Sequence, residues 1–404
     1  MEGRTAKRRR RRWETLAALA LLTAAAALLW LALERLTGAP FFGKSPYYTY
    51  TLQAMAWRRG AVSLGKDYPW LELAVYADDW YVSFPPVPTI PVYLLTFVFG
   101  EAVPDNALVK LYALIGLWAA FGALRAGGWK WLPAAFAALC TAFCGSAMAL
   151  STQGAVWYQA QLLAFMTIML AVWLMMRGRI TPALLCYALS VGCRPFNVAY
   201  GPLLMFLWLR RQNDLTAAQT ARGLWKGVLL GLCVAAGLAA YNWLRFGNPL
   251  EFGTNYLPEF MRSAHGQFSL NHLAGNVRTF LLGWPLERAE EGGWQLKRFG
   301  FSVFLANPLL ACLVLRFALD CARRRVTPEK ALCALLFAVQ LFLLLLHRTF
   351  GGFQFGARYA VDLVPYFILY ACADRETPRL RPWEWALGAA GIAFSLYGVA
   401  TVHI

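Results

Sequence analysis

The sequence predicts an all-α membrane protein, a polytopic bundle of about 11–13 transmembrane segments with a large first outer loop. Its 404 residues are 59% hydrophobic and only 15% charged, whereas soluble domains are about 45–50% apolar and about 25% charged. The apolar residues fall in long runs, and the net charge of +17 is concentrated between those runs. These observations exclude a soluble hydrolase and a cytosolic binding module, and the clustered charge favours a membrane topology signal over nucleic-acid binding.

Twelve apolar segments are long enough, or nearly so, to cross a hydrocarbon layer of about 30 Å. They cover residues 15–36, 87–103, 106–124, 131–150, 155–176, 181–194, 196–209, 226–245, 301–319, 330–346, 358–373 and 383–402. Two longer polar stretches, 38–86 and 246–298, interrupt them.

The basic residues predict the orientation of these segments. Residues 1–14 are rich in arginine, and the apolar run that follows is too long for a cleaved signal peptide. Basic clusters also occupy the short loops, at Arg177 and Arg179, Arg210 and Arg211, Arg222 and Lys226, Arg323 to Arg325 with Lys330, and Arg375, Arg379 and Arg381. Because cytoplasmic loops carry excess Lys and Arg, we expect a cytoplasmic N-terminus, a single membrane domain over 15–404 in the plasma membrane, and both long loops outside.

Residues 87–124 do not fit a simple alternation of inner and outer loops. For both long loops to lie outside, residues 87–124 must cross the membrane only once, although they contain two apolar segments. Either 87–103, with Pro88 and Pro91, is a re-entrant or surface element, or the chain around Arg194-Pro195 crosses differently.

The first long loop is expected to be ordered, because it is rich in Tyr and Trp. Leu52, Met55 and Ala56 recur at helical spacing, so we expect an interfacial helix over about 46–59 that ends at Gly60. The same loop offers candidate general bases. Glu72 lies between apolar neighbours, which tend to raise a carboxyl pKa; Asp79 and Asp78 are the second choices, and solvated loop charges are the alternative interpretation.

Three arginines are candidate ligands for an anionic donor phosphate, because guanidinium groups bind phosphate oxygens in a bidentate manner. Arg194, Arg348 and Arg358 all lie at the expected outer ends of apolar segments, where topology does not require positive charge. Alternatively, Arg358 pairs with Asp362 across i,i+4 and fixes a helix end.

Aromatic and amide side chains nearby are expected to line the substrate site. They are Tyr76, Tyr81, Trp157, Gln161, Gln354 and Tyr359. Residues 350–356 contain three glycines and three phenylalanines, and glycine permits a ligand to approach the backbone closely. Anchoring at the membrane interface is the alternative role for these aromatic residues.

No nucleotide or metal motif is present in the sequence. It has no Walker A motif, no dinucleotide-binding glycine motif after a strand and no HExxH. The nine cysteines lie in or beside apolar helices and predict neither disulfides nor a metal cluster. We therefore predict no metal ligands and leave the cofactor open, a divalent metal included.

Several of these stretches resemble the GT-C-type superfamily of membrane glycosyltransferases, in particular a bacterial branch that uses polyprenyl-phosphate sugars and is related to protein mannosyltransferases. The matching elements are the long first loop, residues 72–86 followed by Phe99-Gly100, Arg194-Pro195, 246–253 and 354–359. The resemblance implies an inverting transfer at the outer face with a first-loop carboxylate as base. Family members carry an acid just before the interfacial helix, but residues 41–48 here contain none. Either the base has moved to Glu72, Asp78 or Asp79, or the chain has lost transferase chemistry.

The leading hypothesis is a glycosyltransferase that moves a sugar from a lipid-phosphate donor to a saccharide, lipid or protein acceptor, among membrane lipids and without nucleic acid. The alternatives are a carrier for lipid-linked saccharides and a non-catalytic subunit of cell-envelope assembly. Many carriers show repeated halves with matching broken helices, and no such repeat is evident in this sequence.

Overall fold

The computed structural model describes residues 2–212, 216–374 and 378–402, with side chains from Arg11 onward, so Arg375 of the predicted basic clusters lies outside the described residues. The regular secondary structure of the described chain is helical apart from two short hairpins, which confirms the predicted fold class. The helices are α1 (Glu2–Thr37), α2 (Thr49–Arg58), α3 (Thr89–Phe99), α4 (Asp105–Ala126), α5 (Trp131–Phe143), α6 (Ser146–Leu150), α7 (Val156–Met176), α8 (Ile180–Cys193), α9 (Tyr200–Leu209), α10 (Ala217–Phe246), α11 (Pro258–Met261), α12 (Leu273–Asn276), α13 (Val303–Ala306), α14 (Pro308–Ala322), α15 (Pro328–Leu346), α16 (Pro365–Ala373) and α17 (Pro382–Val402). The strands are β1 (Leu73–Tyr76), β2 (Asp79–Val82), β3 (Leu286–Arg288) and β4 (Trp294–Leu296).

Six helices in the described chain are long and apolar enough to cross a membrane, namely α1, α4, α7, α10, α15 and α17. Shorter apolar helices lie between them, and each of the twelve predicted segments contains a helix. The chain is therefore a multi-pass membrane protein.

The two ends of the bundle differ in charge. At one end, which we call the basic end, Arg11 donates to the carbonyl of Arg125, Arg210 pairs with Glu329, and Arg381 lies 3.5 Å from Asp320. The other end, which we call the loop end, carries the two long loops.

Helix α3 explains why the twelve predicted segments do not fit the expected alternation of inner and outer loops. It has 11 residues, about 16 Å of helix, and so falls short of a bilayer core of about 30 Å. Its first residue, Thr89, bonds Gln53 of α2, and Gln53 donates to Tyr241 near the loop end of α10. The chain then reaches Asp105, the loop-end start of α4. Residues 87–103 thus begin and end at the loop end, as one of the two predicted alternatives requires.

Helices α8 and α9 form an antiparallel hairpin whose turn carries Arg194. A 3₁₀ turn, Pro195–Ala199, joins them, because proline cannot continue the preceding helix. Tyr187 of α8 donates to the carbonyl of Val198, so the two helices pack side by side. Arg194 is thereby placed at the loop end.

Small residues bring the central helices α4 and α7 together. Gly116 and Gly122 of α4 face Phe165 and Trp173 of α7, and a methyl group at either glycine would overlap the aromatic ring. Such close approach is the usual way for membrane helices to pack when no water drives their association. Helix α7 is consequently a rigid support for the residues at its loop end.

The first long loop folds as helix α2 followed by the β1–β2 hairpin. Helix α2 lies within the predicted 46–59, but its residues 49–54 are buried against α3 and neighbouring elements, so it is not exposed as an interfacial helix would be. The strands pair antiparallel from Leu73 opposite Val82. Ala77 and Asp78 form the two-residue turn with positive φ values of 50° and 60°, the conformation of the tight turns that match strand twist.

The second long loop packs against the first and against the chain after α15. Tyr76 of the hairpin stacks on Tyr256 at a ring distance of 4.7 Å. Asn276 donates to the carbonyls of Leu345 and His347 at 2.8 and 2.7 Å. All three loop segments therefore cover one end of the bundle.

Candidate active site

Three elements meet around the ring of Trp157 at the loop end. Trp157 lies in the first turn of α7 and donates from Nε1 to Oε2 of Glu72 at 2.8 Å. Glu72 directly precedes β1, and its carbonyl accepts from Ser83 at 3.3 Å. The guanidinium of Arg358 lies 5.4 Å from the Trp157 ring centroid. Glu72 and Arg358 thus contact the same indole ring, and they form no ion pair with each other in the described chain.

Glu72 has the properties expected of a general base. Its side chain keeps an open solvent face, yet the protein around it displaces enough water to raise the pKa of the carboxyl above its usual value. Glu259 raises this pKa further, whereas the Trp157 hydrogen bond and the charge of Arg358 lower it.

The backbone around Arg358 is fixed by two buried amides. Its N–H donates to Gln354 Oε1 at 2.7 Å, and its carbonyl accepts from Gln161 Nε2 at 3.0 Å. Gln161 and Gln354 are 1% and 2% exposed. From the sequence, both amides were expected to line the substrate site. In the structure they instead support its backbone from behind.

The Arg358 side chain is enclosed by aromatic rings and by a glycine. Its guanidinium lies 5.5 Å from the Tyr359 ring and 5.9 Å from the Tyr158 ring. A side chain at Gly351, where φ is +115°, would overlap its Nε. This Nε is buried and has no hydrogen-bond partner in the described chain, so the guanidinium keeps donor capacity for a ligand.

Arg194 joins this cluster but is already paired. Its Nε and Nη2 donate to Oδ2 of Asp362 at 2.9 and 2.7 Å, and its guanidinium lies 4.6 Å from the Tyr359 ring. Asp362 therefore binds Arg194 and not Arg358, which corrects the alternative of an i,i+4 pair. Tyr359 stands between the two arginines and brings them into one cluster.

Arg348 lies beside the cluster, in the segment after α15, and contacts the second long loop. It donates to the carbonyl of Glu259, and its guanidinium lies 5.4 Å from the Phe260 ring. Its neighbour His347 is buried against Phe268 and Tyr359. Burial lowers the pKa of His347 to about 4, and the charges of Arg194 and Arg358 act in the same direction. Since His347 is neutral at ordinary pH, the positive charge here comes from arginine.

The other predicted loop residues lie at the far end of the hairpin. Asp78 is in the exposed turn, and Asp79 starts β2. Tyr76 and Tyr81 pack against Phe246 with ring distances of 5.6 and 5.3 Å. A strand rises about 3.3 Å per residue, so the turn is well separated from Glu72.

A buried polar cluster that the sequence analysis missed holds Trp157 in place. Lys110, 3% exposed, donates to the carbonyls of Asn106 and Thr152 at 3.0 and 3.2 Å. Asn106 Oδ1 accepts from the N–H of Gly154 at 2.7 Å, and Asp105 accepts from the N–H of Ser45 at 2.7 Å. The sequence did contain one indication of this cluster, because Lys110 is a lone charged residue within an apolar segment. This cluster ties the chain before α7 to the start of the first loop.

That connection adds one further aromatic residue to the site. The carbonyl of Tyr47 accepts from the N–H of Val156 at 3.2 Å, and its ring lies 5.0 Å from that of Trp157. Within the described residues, no three His, Cys, Asp or Glu side chains are grouped as metal ligands. The site is built from the Glu72 carboxylate, the Arg194–Asp362 pair, Arg358 and aromatic rings.

No protein-family model and no curated protein sequence matches this chain. Among solved structures, it is similar to ArnT from Cupriavidus metallidurans bound to undecaprenyl phosphate, with a TM-score of 0.53 and 15% identity over 93% of this chain and 62% of that one. It is also similar to the apo oligosaccharyltransferase of Archaeoglobus fulgidus, with a TM-score of 0.54 and 13% identity over 96% of this chain and 56% of that one.

The chain spans about three fifths of the length of these two structures, 62% and 56%. The likeness extends along nearly the whole of this chain, although few residues are identical. The chain therefore has the GT-C-type membrane fold that its sequence predicts.

Proposed function

We propose that this chain is a membrane glycosyltransferase that moves a sugar from a polyprenyl-phosphate donor to an acceptor hydroxyl, with inversion at the anomeric carbon. The observation that carries the proposal is the arrangement at Trp157, where the Glu72 carboxylate and the Arg358 guanidinium contact one indole. The two groups lie close together without neutralising each other. The undecaprenyl phosphate bound by ArnT supports a lipid phosphate as the donor group.

In the proposed reaction, Glu72 accepts the proton of the acceptor hydroxyl as the hydroxyl oxygen attacks the anomeric carbon. The new glycosidic C–O bond forms as the bond between that carbon and the phosphate oxygen breaks. The lipid phosphate leaves with the bonding electron pair, and Arg358 stabilises its charge. The raised pKa of Glu72 brings its basicity closer to that needed near neutral pH.

The surrounding residues have supporting roles in this proposal. Trp157 and Tyr47 offer ring faces for the sugar, and Tyr359 separates Arg358 from Arg194. Arg194 orients the donor through its remaining donor groups, while Asp362 holds it in place. Arg348, on the exposed side of the cluster, is placed to meet a donor or acceptor as it enters. Asp78 and Asp79 are too far along the hairpin to share this carboxylate's role.

The proposal includes a membrane orientation. Residues 1–14 and the loops of the basic end lie in the cytoplasm, and residues 38–86 and 246–298 lie outside the plasma membrane. The excess of arginine at one end of the bundle supports this orientation. The sugar transfer then takes place on the extracytoplasmic side, next to a membrane-embedded lipid donor.

The test is Glu72→Gln in proteoliposomes supplied with polyprenyl-phosphate sugars. We expect sugar transfer to fall at least about a hundredfold, as loss of a general base does, while donor binding persists. Asp78→Asn is the matched control, because it removes one carboxylate from the same hairpin and should retain full activity.

Two results would contradict the proposal at different levels. Full transfer by the Glu72→Gln variant would overturn the mechanism and assign the base to another residue, while the transferase function would stand. If the wild-type chain moved the lipid-linked saccharide across the bilayer without forming a glycosidic bond, the protein would be a carrier.

A further inference from the structure

A polar cavity lies at the basic end, on the opposite side of the bundle from Trp157. Its volume is about 280 Å³, and its walls come from the end of α14, the start of α15 and the chain that leads into α17. The cavity is lined mainly by charged side chains. Nothing in the proposed sugar transfer uses this cavity.

Positive charge exceeds negative charge around this cavity. Among the described residues, five cationic side chains and two carboxylates line it; the cations are Arg323, Arg325, Lys330, Arg379 and Arg381. The carboxylates are Asp320 and Asp374, so the formal excess is five minus two, or +3. Three of the arginines, Arg323, Arg325 and Arg379, form no ion pair in the described part of the chain.

Two of the cations are held in place by buried partners. Lys330 Nζ lies 2.8 Å from Asp320 and 3.6 Å from Asp374, with about 5% of its side chain exposed. Asp320 also accepts from Tyr370 at 2.8 Å. Arg381 Nη1 is buried and has no hydrogen-bond partner among the described residues. A buried guanidinium nitrogen without an acceptor is unfavourable unless a ligand supplies one.

A second ion pair prevents the cavity from collapsing. Arg316, 1% exposed, binds both carboxylate oxygens of Glu384 in the first turn of α17 and donates to the carbonyl of Arg379 at 2.8 Å. This contact fixes the chain that carries Arg379 and Arg381 against α14. The cations are therefore arranged before any ligand arrives, which lowers the entropy lost on binding.

The size and lining of the cavity indicate the ligand. Pockets for drug-sized molecules begin at about 300 Å³ and are mostly apolar, so this cavity fits a small, strongly polar anion. Its charged walls exclude a polyprenyl or acyl chain. Arginine forks match phosphate oxygens, and basic pockets between membrane helices are typical sites for anionic lipid headgroups.

We propose that this cavity is a binding site for a phosphate anion, supplied by an anionic phospholipid headgroup or by free phosphate. The three arginines that form no ion pair in the described chain provide the donors together with Arg381, and Trp383 also lines the site. The inference does not depend on sugar transfer at the opposite end. Its ligand stabilises the junction of α14, α15 and α17.

The test compares the full-length chain with two double variants. Arg323→Ala with Arg379→Ala removes two cavity arginines that form no ion pair with any described residue. Arg222→Ala with Lys226→Ala removes the same charge from exposed positions of α10 at the same end. Melting is followed by tryptophan fluorescence at constant ionic strength. One arm titrates inorganic phosphate with the protein in phosphatidylcholine nanodiscs, and the other adds phosphatidylglycerol to the nanodiscs.

We expect one of the two arms to raise the melting temperature of the wild type and of the α10 variant. The cavity variant should bind at least about tenfold more weakly, because charge-assisted hydrogen bonds are lost. A response to inorganic phosphate identifies a free anion, and a response only to phosphatidylglycerol identifies a headgroup. If neither arm stabilises the wild type, or if both double variants lose the response equally, the site does not exist.

Discussion

At the scale of single residues, two neighbours of Glu72 act on its pKa in opposite directions. The hydrogen bond from Trp157 favours the charged carboxylate and lowers the pKa, whereas the negative charge of Glu259 raises it. A general base works only when deprotonated, so kcat/KM falls as pH drops through the pKa of Glu72. The position of this acid limb therefore reports both neighbours.

We expect Trp157→Phe to move the acid limb to higher pH and Glu259→Gln to move it to lower pH. Phenylalanine keeps an aromatic face for Arg358 but loses the indole donor, and glutamine keeps the shape of glutamate but loses its charge. The measurement is the pH dependence of kcat/KM for sugar transfer, with Asp78→Asn as a control that leaves the limb unchanged. Shifts of both variants in the same direction would show that another group titrates.

The ion pair between Arg194 and Asp362 could not be predicted from the sequence. From the sequence alone, Arg358 was the partner suggested for Asp362, because the two residues are only four positions apart. The actual partner of Asp362 is 168 residues distant in sequence. Only the contact between the end of α8 and the 3₁₀ turn before α16, Arg358–Leu363, decides between them.

At the scale of elements, the segment between α15 and α16 shapes the space around Arg358. Gly351 adopts φ +115°, a conformation that other residues rarely adopt, and a side chain there would overlap the Arg358 guanidinium. Gly352, the next residue, has open space around it. The two glycines therefore form a matched pair within one loop.

We expect Gly351→Ala to weaken binding of the polyprenyl-phosphate donor at least about tenfold, since displacing one charged phosphate contact costs at least about 1.5 kcal/mol. It should also lower the free energy of unfolding by about 1–3 kcal/mol through backbone strain. Gly352→Ala should change neither quantity appreciably. Donor affinity and denaturant unfolding are measured for both variants. Equal donor affinity in the two would remove Gly351 from the site.

The helices themselves were readily predicted, because an apolar run of sufficient length is a local property of the sequence. All twelve predicted segments are helical. The burial of α2 was not foreseen, since it depends on α10 and the hairpin that cover it. Likewise, Lys110 stands out in the sequence as a lone charge in an apolar segment. Its hydrogen bond to the carbonyl of Thr152 could not be predicted, because it depends on how α4 packs on α7.

At the scale of the whole molecule, the bundle separates two kinds of positive charge. Arginines of the basic end match the topology signal of the sequence, whereas Arg194, Arg348 and Arg358 lie at the loop end, where no such signal requires them. Residues 87–103 return to the loop end, and we infer that each of the other eleven apolar segments runs from one end of the bundle to the other. If all eleven cross the membrane, the start of α1 and the end of α17 lie on opposite sides.

This arrangement can be measured with a membrane-impermeant maleimide. Cys321, exposed at the basic end of α14, is a native reporter for the cytoplasmic side, and Asp67→Cys, in an exposed part of the first loop, reports the other side. Each is examined as the sole exposed cysteine, with Cys233→Ser in both variants and Cys321→Ser in the second. We expect Asp67→Cys to react in intact cells and Cys321 to react only after permeabilisation, because the excess arginine holds the basic end inside. The reverse pattern would place Glu72 and Arg358 in the cytoplasm and would contradict transfer at the outer face, whereas labelling of both residues in intact cells would contradict the count of eleven passes.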